Sequence, residues 1–136
     1  MATEHAVDNE LSVFRISLLR TAFFLNCAFL GINFITGYRN HTGVWESGST
    51  VAYSLWGTLA VLSVFGLRQP TRMVPALLVQ FTYKLIWIAL FYLPGIAPAA
   101  SNLAPVMLGG IVADLLVIPW PYVFRSLVFA PSERWK

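Results

Sequence analysis

Two charged residues stand inside long apolar stretches of this sequence. Lys84 lies near the middle of segment 73–93, and Asp114 lies near the middle of the segment that begins at residue 103. A charge at the centre of a bilayer costs about 2.5–3.5 kcal/mol on insertion scales, so it needs a partner or a function. If the two segments cross a membrane in opposite directions, a rise of 1.5 Å per residue places the charges within about 3 Å of the same depth. We therefore predict an ion pair between Lys84 and Asp114.

Other polar residues fall at the same level. Gln80 and Tyr83 precede Lys84 at a spacing that puts all three on one face of a helix. Gly110 lies one turn from Asp114, where a small residue lets helices approach closely. Counting residues from the ends of the apolar segments predicts a polar mid-membrane centre with six members: Asn26, Thr58, Gln80, Tyr83, Lys84 and Asp114.

This centre has two interpretations. In the first, the ion pair fixes the register of the helices, and the amide side chains hold neighbouring helices together by hydrogen bonds. In the second, the same residues line a pocket or a path for protons or ions, because ionisable groups inside a membrane are candidates for function. The residue types do not decide between them.

Catalytic and metal-binding motifs do not stand out. The sequence contains no Gly-rich phosphate loop, no HExxH and no nucleophile elbow. Cys27 is the single cysteine and lies in an apolar run, which is typical of a buried small side chain. His41 and Glu46 share a loop, but a metal site needs further ligands. We expect no metal and no cofactor, and the absence of motifs disfavours an enzyme without excluding one.

The composition explains how these residues are positioned. Of 136 residues, 57% are hydrophobic and 11% are charged. Soluble domains carry about 25% charged residues, so this chain cannot cover a water-facing surface. About 20 apolar residues span a bilayer. We predict one all-α domain over 1–136, an antiparallel four-helix transmembrane bundle whose spans lie at 16–37, 50–67, 73–93 and 103–124.

Turn residues separate these spans. Segment 38–49 is rich in polar residues and glycine, and 68–72 is a short charged turn. Pro94 and Gly95 are expected to end the third span, and Ser101 or Asn102 to cap the fourth. The Pro-Trp-Pro sequence at 119–121 is expected to interrupt the fourth helix, which is tolerated where side chains or the interface satisfy the freed carbonyl groups.

Basic residues predict the orientation. Seven of them fall on one side of a four-span chain, and the other side has Arg39 alone; the seven are Arg15, Arg20, Arg68, Arg72, Arg125, Arg134 and Lys136. The positive-inside rule then places both termini in the cytoplasm. The same placement at span ends argues against a nucleic-acid partner, despite the net charge of +3.

Part of the chain resembles known proteins. The stretch GLRQPTRMVPALLVQFTYKLIW, followed by PWPYVFRSLVFAPSERW, resembles small four-helix bacterial membrane proteins of unassigned function, and is loosely similar to the DoxX-like group. The resemblance runs from about residue 53 to residue 135 and implies a multi-pass protein of the bacterial inner membrane. It transfers no catalytic residues, and the two cysteines that a quinone-linked thiol oxidoreductase would use are not here.

Three functions remain open. The first is a non-catalytic accessory or binding bundle, whose partner is a lipid, an apolar small molecule or a larger membrane complex. The second is a small oligomeric conductor of ions or protons that uses Lys84 and Asp114. The third is a membrane-embedded enzyme that acts on a lipid or quinone.

Overall fold

The computed structural model describes residues 11–96 and 103–131, and these residues form helices and connecting turns without a strand. The described residues contain five α-helices: α1 (Val13–Asn40), α2 (Ser47–Arg68), α3 (Val74–Trp87), α4 (Leu103–Val117) and α5 (Trp120–Val123). Short π-helical segments continue α3 over Ile88–Tyr92 and α5 over Phe124–Val128. The prediction of an all-α chain is confirmed.

Several of these helices are suited to a membrane. Three are long and apolar enough to cross a bilayer: α1, α2, and α3 together with its π-helical continuation. Leu103–Val117 and Trp120–Val128 together are also long and apolar enough to cross a bilayer, although the two helices are bent by 74° relative to each other. The described chain therefore has up to four candidate spans. Large apolar side chains such as Phe24 and Leu116 are exposed on the helix surfaces. These features indicate a multi-pass membrane protein.

The helix ends have local causes. Ser12 Oγ accepts a hydrogen bond from Arg15 N, which satisfies one of the free N–H groups at the start of α1. Pro75 lies in the first turn of α3, where its missing N–H is not needed. After α3 the chain turns at Gly95, whose φ of +73° suits glycine, as predicted for the end of this span. The predicted caps Ser101 and Asn102 lie outside the described residues.

Helices α1 and α2 pack closely through glycine. A Cβ at Gly66 would overlap the Phe23 ring, and a Cβ at Gly57 would lie 3.2 Å from the Phe34 ring. The aromatic rings of α1 therefore rest on the bare backbone of α2. Such small-residue contacts stabilise helix pairs in membranes, where lipid tails are as apolar as leucine and hydrophobic burial provides little driving force.

One end of the molecule holds the main apolar core. Leu19 and Phe23 of α1 pack there with side chains of α3 and of the segment after α4; the core consists of Leu19, Phe23, Val74, Leu77, Ile118 and Val123, and Leu67 at the end of α2 packs against it. The first half of α1, the end of α2, the start of α3 and the segment after α4 thus contribute side chains to one core.

The bend after α4 comes from proline. Pro119 has no N–H to offer the carbonyl of Leu115, and that oxygen instead accepts a hydrogen bond of 2.9 Å from the Trp120 indole. The carbonyl of Leu116 accepts from Arg15 Nη1 at 2.7 Å. Two side chains therefore satisfy backbone groups that the break sets free, and segment 103–124 is not one straight helix.

Candidate functional site

The two charges inside the apolar segments meet. Lys84 Nζ of α3 lies 2.8 Å from Asp114 Oδ2 of α4. Lys84 is 8% exposed and Asp114 is 6% exposed, so water reaches neither group freely. This is the ion pair predicted from equal depth. Because each charge lowers the cost of burying the other, the pair can persist in an apolar environment.

Gln80 connects this pair to α1. Its Nε2 donates to Asp114 Oδ1 at 3.1 Å and to Asn26 Oδ1 at 3.2 Å, so both amide hydrogens are used. The carboxylate can only accept hydrogen bonds, which fixes the orientation of the amide. Gln80 Oε1 is then buried and has no hydrogen-bond partner among the described residues. One network thus joins α1, α3 and α4, and it leaves one acceptor unsatisfied.

Gly110 makes room for the lysine. A Cβ added there would stand 2.7 Å from Lys84 Nζ and 3.0 Å from Lys84 Cε. The neighbouring Gly109 is different, because a Cβ at that position meets no atom of the described chain within 4 Å. Glycine at position 110 therefore allows the ammonium group to lie against the backbone of α4.

Tyr83 faces a residue that the sequence analysis did not select. Tyr83 and Trp56 of α2 both line the same cavity, and both residues are partly buried. Trp56 lies in the middle of α2, away from the interfaces where tryptophan is common. An indole N–H at that depth needs an acceptor, and this requirement could have identified Trp56 from the sequence as a residue that faces other helices.

Thr58 is not part of the network. It is exposed, and its hydroxyl donates to Ser54 O of the same helix at 2.8 Å. Threonine in a helix often satisfies its hydroxyl in this way, without a partner on another helix. The structure thus brings together Asn26, Gln80, Lys84 and Asp114, places Tyr83 beside them, and leaves Thr58 on an outer face.

The network lies on the wall of a large cavity. The cavity has a volume of about 820 Å³ and lies among α1, α3 and α4, with Trp56 contributed by α2. Its lining is largely apolar, with residues such as Leu18, Phe29 and Met107. Leu25 and Ile32 also line it, yet they are 58% and 61% exposed, so the cavity is open to the surface along α1.

The polar groups occupy the middle of this cavity. On α1 the lining residues run from Leu18 to Asn33, a length of about 22 Å at 1.5 Å per residue. Asn26 lies halfway along that stretch. Asn33 is turned to its own helix, where its Nδ2 donates to Phe29 O at 2.7 Å. The cavity therefore has a hydrogen-bonding centre whose two charges cancel, and the polar side chains toward its ends, Thr21 and Asn33, bond within α1.

The loop residues considered as metal ligands are arranged differently. The His41 ring stacks on Trp45 with ring centroids 3.9 Å apart. In residues 11–96 and 103–131, no three His, Cys, Asp or Glu side chains are grouped so that they could hold a metal ion.

Comparisons of the chain with family models, with curated proteins and with solved structures find no match in any of the three. The resemblance to small four-helix bacterial membrane proteins therefore stays a prediction, and the cavity with its polar centre is the feature that indicates a function.

Proposed function

We propose that this chain is a non-catalytic membrane protein that binds a small amphipathic molecule from the bilayer. The observation that carries the proposal is the cavity of about 820 Å³, with its apolar lining and polar centre. Pockets for small molecules usually measure about 300–1,000 Å³ and combine apolar walls with a few polar groups that orient the ligand. The opening along α1 would let such a molecule enter sideways from lipid.

The proposal includes an antiparallel four-span topology with both termini in the cytoplasm of a bacterial cell. The meeting of helix starts and helix ends in one core supports alternating directions. The excess of Arg and Lys at that level supports the orientation. Reporter fusions after residue 136 are expected to read cytoplasmic, and fusions near Asn40 or Ala99 external. Ala99 lies outside the described residues, and a cytoplasmic reading there would contradict the four-span topology.

Binding is tested by mass spectrometry of the protein purified in mild detergent. We expect a bound lipid or apolar compound to co-purify with the native chain. Ala113→Phe places a ring in the cavity, because Ala113 is part of its lining. Val112→Phe is the matched control on the same helix, since Val112 is 57% exposed and outside that lining. The compound should disappear with Ala113→Phe and remain with Val112→Phe. Equal retention by both variants would refute binding in this cavity.

A second candidate function is conduction of ions or protons. It is favoured by one observation, which is that Lys84 and Asp114 are buried charged residues in the lining of the cavity. Liposomes containing the purified protein distinguish the candidates. A flux that Asp114→Asn abolishes would support conduction, whereas the binding proposal expects liposomes with protein to leak no faster than empty ones.

A further inference from the structure

We infer that the molecule bound in this cavity is an uncharged long-chain alcohol, whose hydroxyl group lies against Lys84 and Gln80 at the middle of the membrane. This inference rests on the proposed function and narrows the ligand to one chemical class. It follows from three properties of the site, which are its depth, its charge and its unused hydrogen-bonding groups.

The depth of the polar network in the bilayer excludes the common charged membrane lipids as its ligand. Asn26, to which Gln80 is bonded, lies halfway along the lining stretch of α1, about 11 Å from either end. In a hydrocarbon core about 30 Å thick, that position is near the bilayer centre. A phospholipid keeps its charged head group at the interface, because moving charge to the centre is costly. A ligand whose polar end reaches this network must therefore be uncharged at that end.

Charge balance leads to the same conclusion. Lys84 and Asp114 are 2.8 Å apart and neutralise each other. A carboxylate or phosphate in the cavity would compete with Asp114 for the ammonium group, and a cationic ligand would compete with Lys84 for the carboxylate. In either case one buried charge would lose its partner, which is strongly unfavourable. A neutral polar group can bind without separating the pair.

The remaining hydrogen-bonding groups favour a hydroxyl. The Lys84 ammonium has three N–H groups, of which Asp114 Oδ2 accepts one. The ligand oxygen can accept from another. Gln80 Oε1 is an acceptor without a partner among the described residues, and Gln80 is only 4% exposed. With the amide held in the orientation that Asp114 fixes, this oxygen can accept from a donor placed beside it in the cavity. A hydroxyl both accepts and donates, whereas a ketone or ester can only accept.

The test measures binding to the purified chain by native mass spectrometry in mild detergent. The probes are hexadecanol, hexadecane as the chain without a polar end, and hexadecylphosphocholine as the chain with a charged head group. Wild-type protein is expected to bind hexadecanol at least about tenfold more tightly than either of the others, which corresponds to one hydrogen bond with a charged donor.

Two asparagines of α1 provide matched variants. Asn26→Leu removes the group to which Gln80 is bonded, and Asn33→Leu makes the same change at the far end of the cavity, where the amide bonds only within its own helix. We expect Asn26→Leu to weaken hexadecanol binding about tenfold and to leave hexadecane binding unchanged. Asn33→Leu should alter neither. An equal effect of both variants would overturn the inference.

The outcomes separate the two proposals. If none of the three probes binds, the proposed binding function itself is refuted. If hexadecane binds as well as hexadecanol, or hexadecylphosphocholine binds best, the cavity binds chains but the inferred hydroxyl site is wrong.

Photolabelling of the unmodified protein tests the inference even if the variants fail to fold. Hexadecanol with a diazirine beside its hydroxyl should, on irradiation, label the helix segments around Asn26 and Gly110. Labelling concentrated near Leu18 or Asn33 would place the hydroxyl at the end of the cavity and contradict the inference.

Discussion

A single methyl group at Gly110 is expected to disturb the ion pair. The added Cβ of Gly110→Ala would lie 2.7 Å from Lys84 Nζ, 3.0 Å from Cε and 3.3 Å from Cδ. All three distances are shorter than ordinary van der Waals contact. The end of the lysine must move, and we expect this movement to draw Nζ away from its position 2.8 Å from Asp114 Oδ2.

The expected change in the free energy of unfolding is the difference between two opposing effects. Replacing glycine by alanine inside a helix is favourable by about 0.5–1 kcal/mol. Weakening a buried hydrogen bond between charged groups costs about 1.5–3 kcal/mol. We therefore expect Gly110→Ala to lower the free energy of unfolding by about 1–2 kcal/mol. Gly109→Ala is the matched control, because its Cβ meets no described atom within 4 Å, and it should leave stability unchanged or raised.

The assay is reversible unfolding in mixed micelles of mild detergent and dodecyl sulfate, followed by circular dichroism. The pair of variants is repeated in a background with Lys84→Leu and Asp114→Leu, which removes both charges and the two lysine atoms nearest to position 110. In that background the cost of Gly110→Ala should disappear. If the cost persists there, or if both alanine variants behave alike in the native background, the steric link from Gly110 to the ion pair is refuted.

Three further predictions follow from the contacts described. Lys84→Met or Asp114→Leu alone should reduce the yield of folded protein more than the double substitution does, because a single change leaves an uncompensated buried charge at a cost of about 3–5 kcal/mol; a double variant that folds no better than either single one would contradict this. Arg15→Leu should destabilise the chain by about 1.5–3 kcal/mol, because the carbonyl of Leu116 loses its charged donor. Arg20→Leu, at an exposed position of the same helix, is the control for that unfolding measurement, and equal losses would argue against a specific role of Arg15. Washing membranes with salt or alkaline carbonate should release no native protein, and its recovery in the wash would refute integral insertion.

Much of the architecture could be predicted from residue order alone. Apolar length and turn residues identified the helical segments, and Pro94 with Gly95 marked the end of α3. Depth along a helix depends only on the number of residues and the fixed rise. Residue counting was therefore enough to pair Lys84 with Asp114, and the prolines at 119 and 121 were enough to predict an interruption there.

The face of the helix on which a residue lies cannot be interpreted in the same way as its depth, because which face is buried depends on how neighbouring helices cross and pack. Thr58 has the predicted depth, but it lies on an exposed face and bonds to Ser54. Trp56, two residues earlier, lines the cavity together with Tyr83 instead. Residue counting cannot distinguish these two positions, since the packing of α2 against α1 decides which of them faces inward.

Contacts between distant segments were also decided by the tertiary structure. Arg15 predicted orientation through its charge, yet its guanidinium group donates to the carbonyl of Leu116, which is 101 residues away in the chain. Gln80 could be assigned to the polar face of α3, but its bridge from Asp114 to Asn26 exists only because α1 lies against that face. The sequence by itself determined how far along its helix each polar residue lies, because the rise per residue is fixed. The packing of the helices determined which of them meet, and left a cavity beside them.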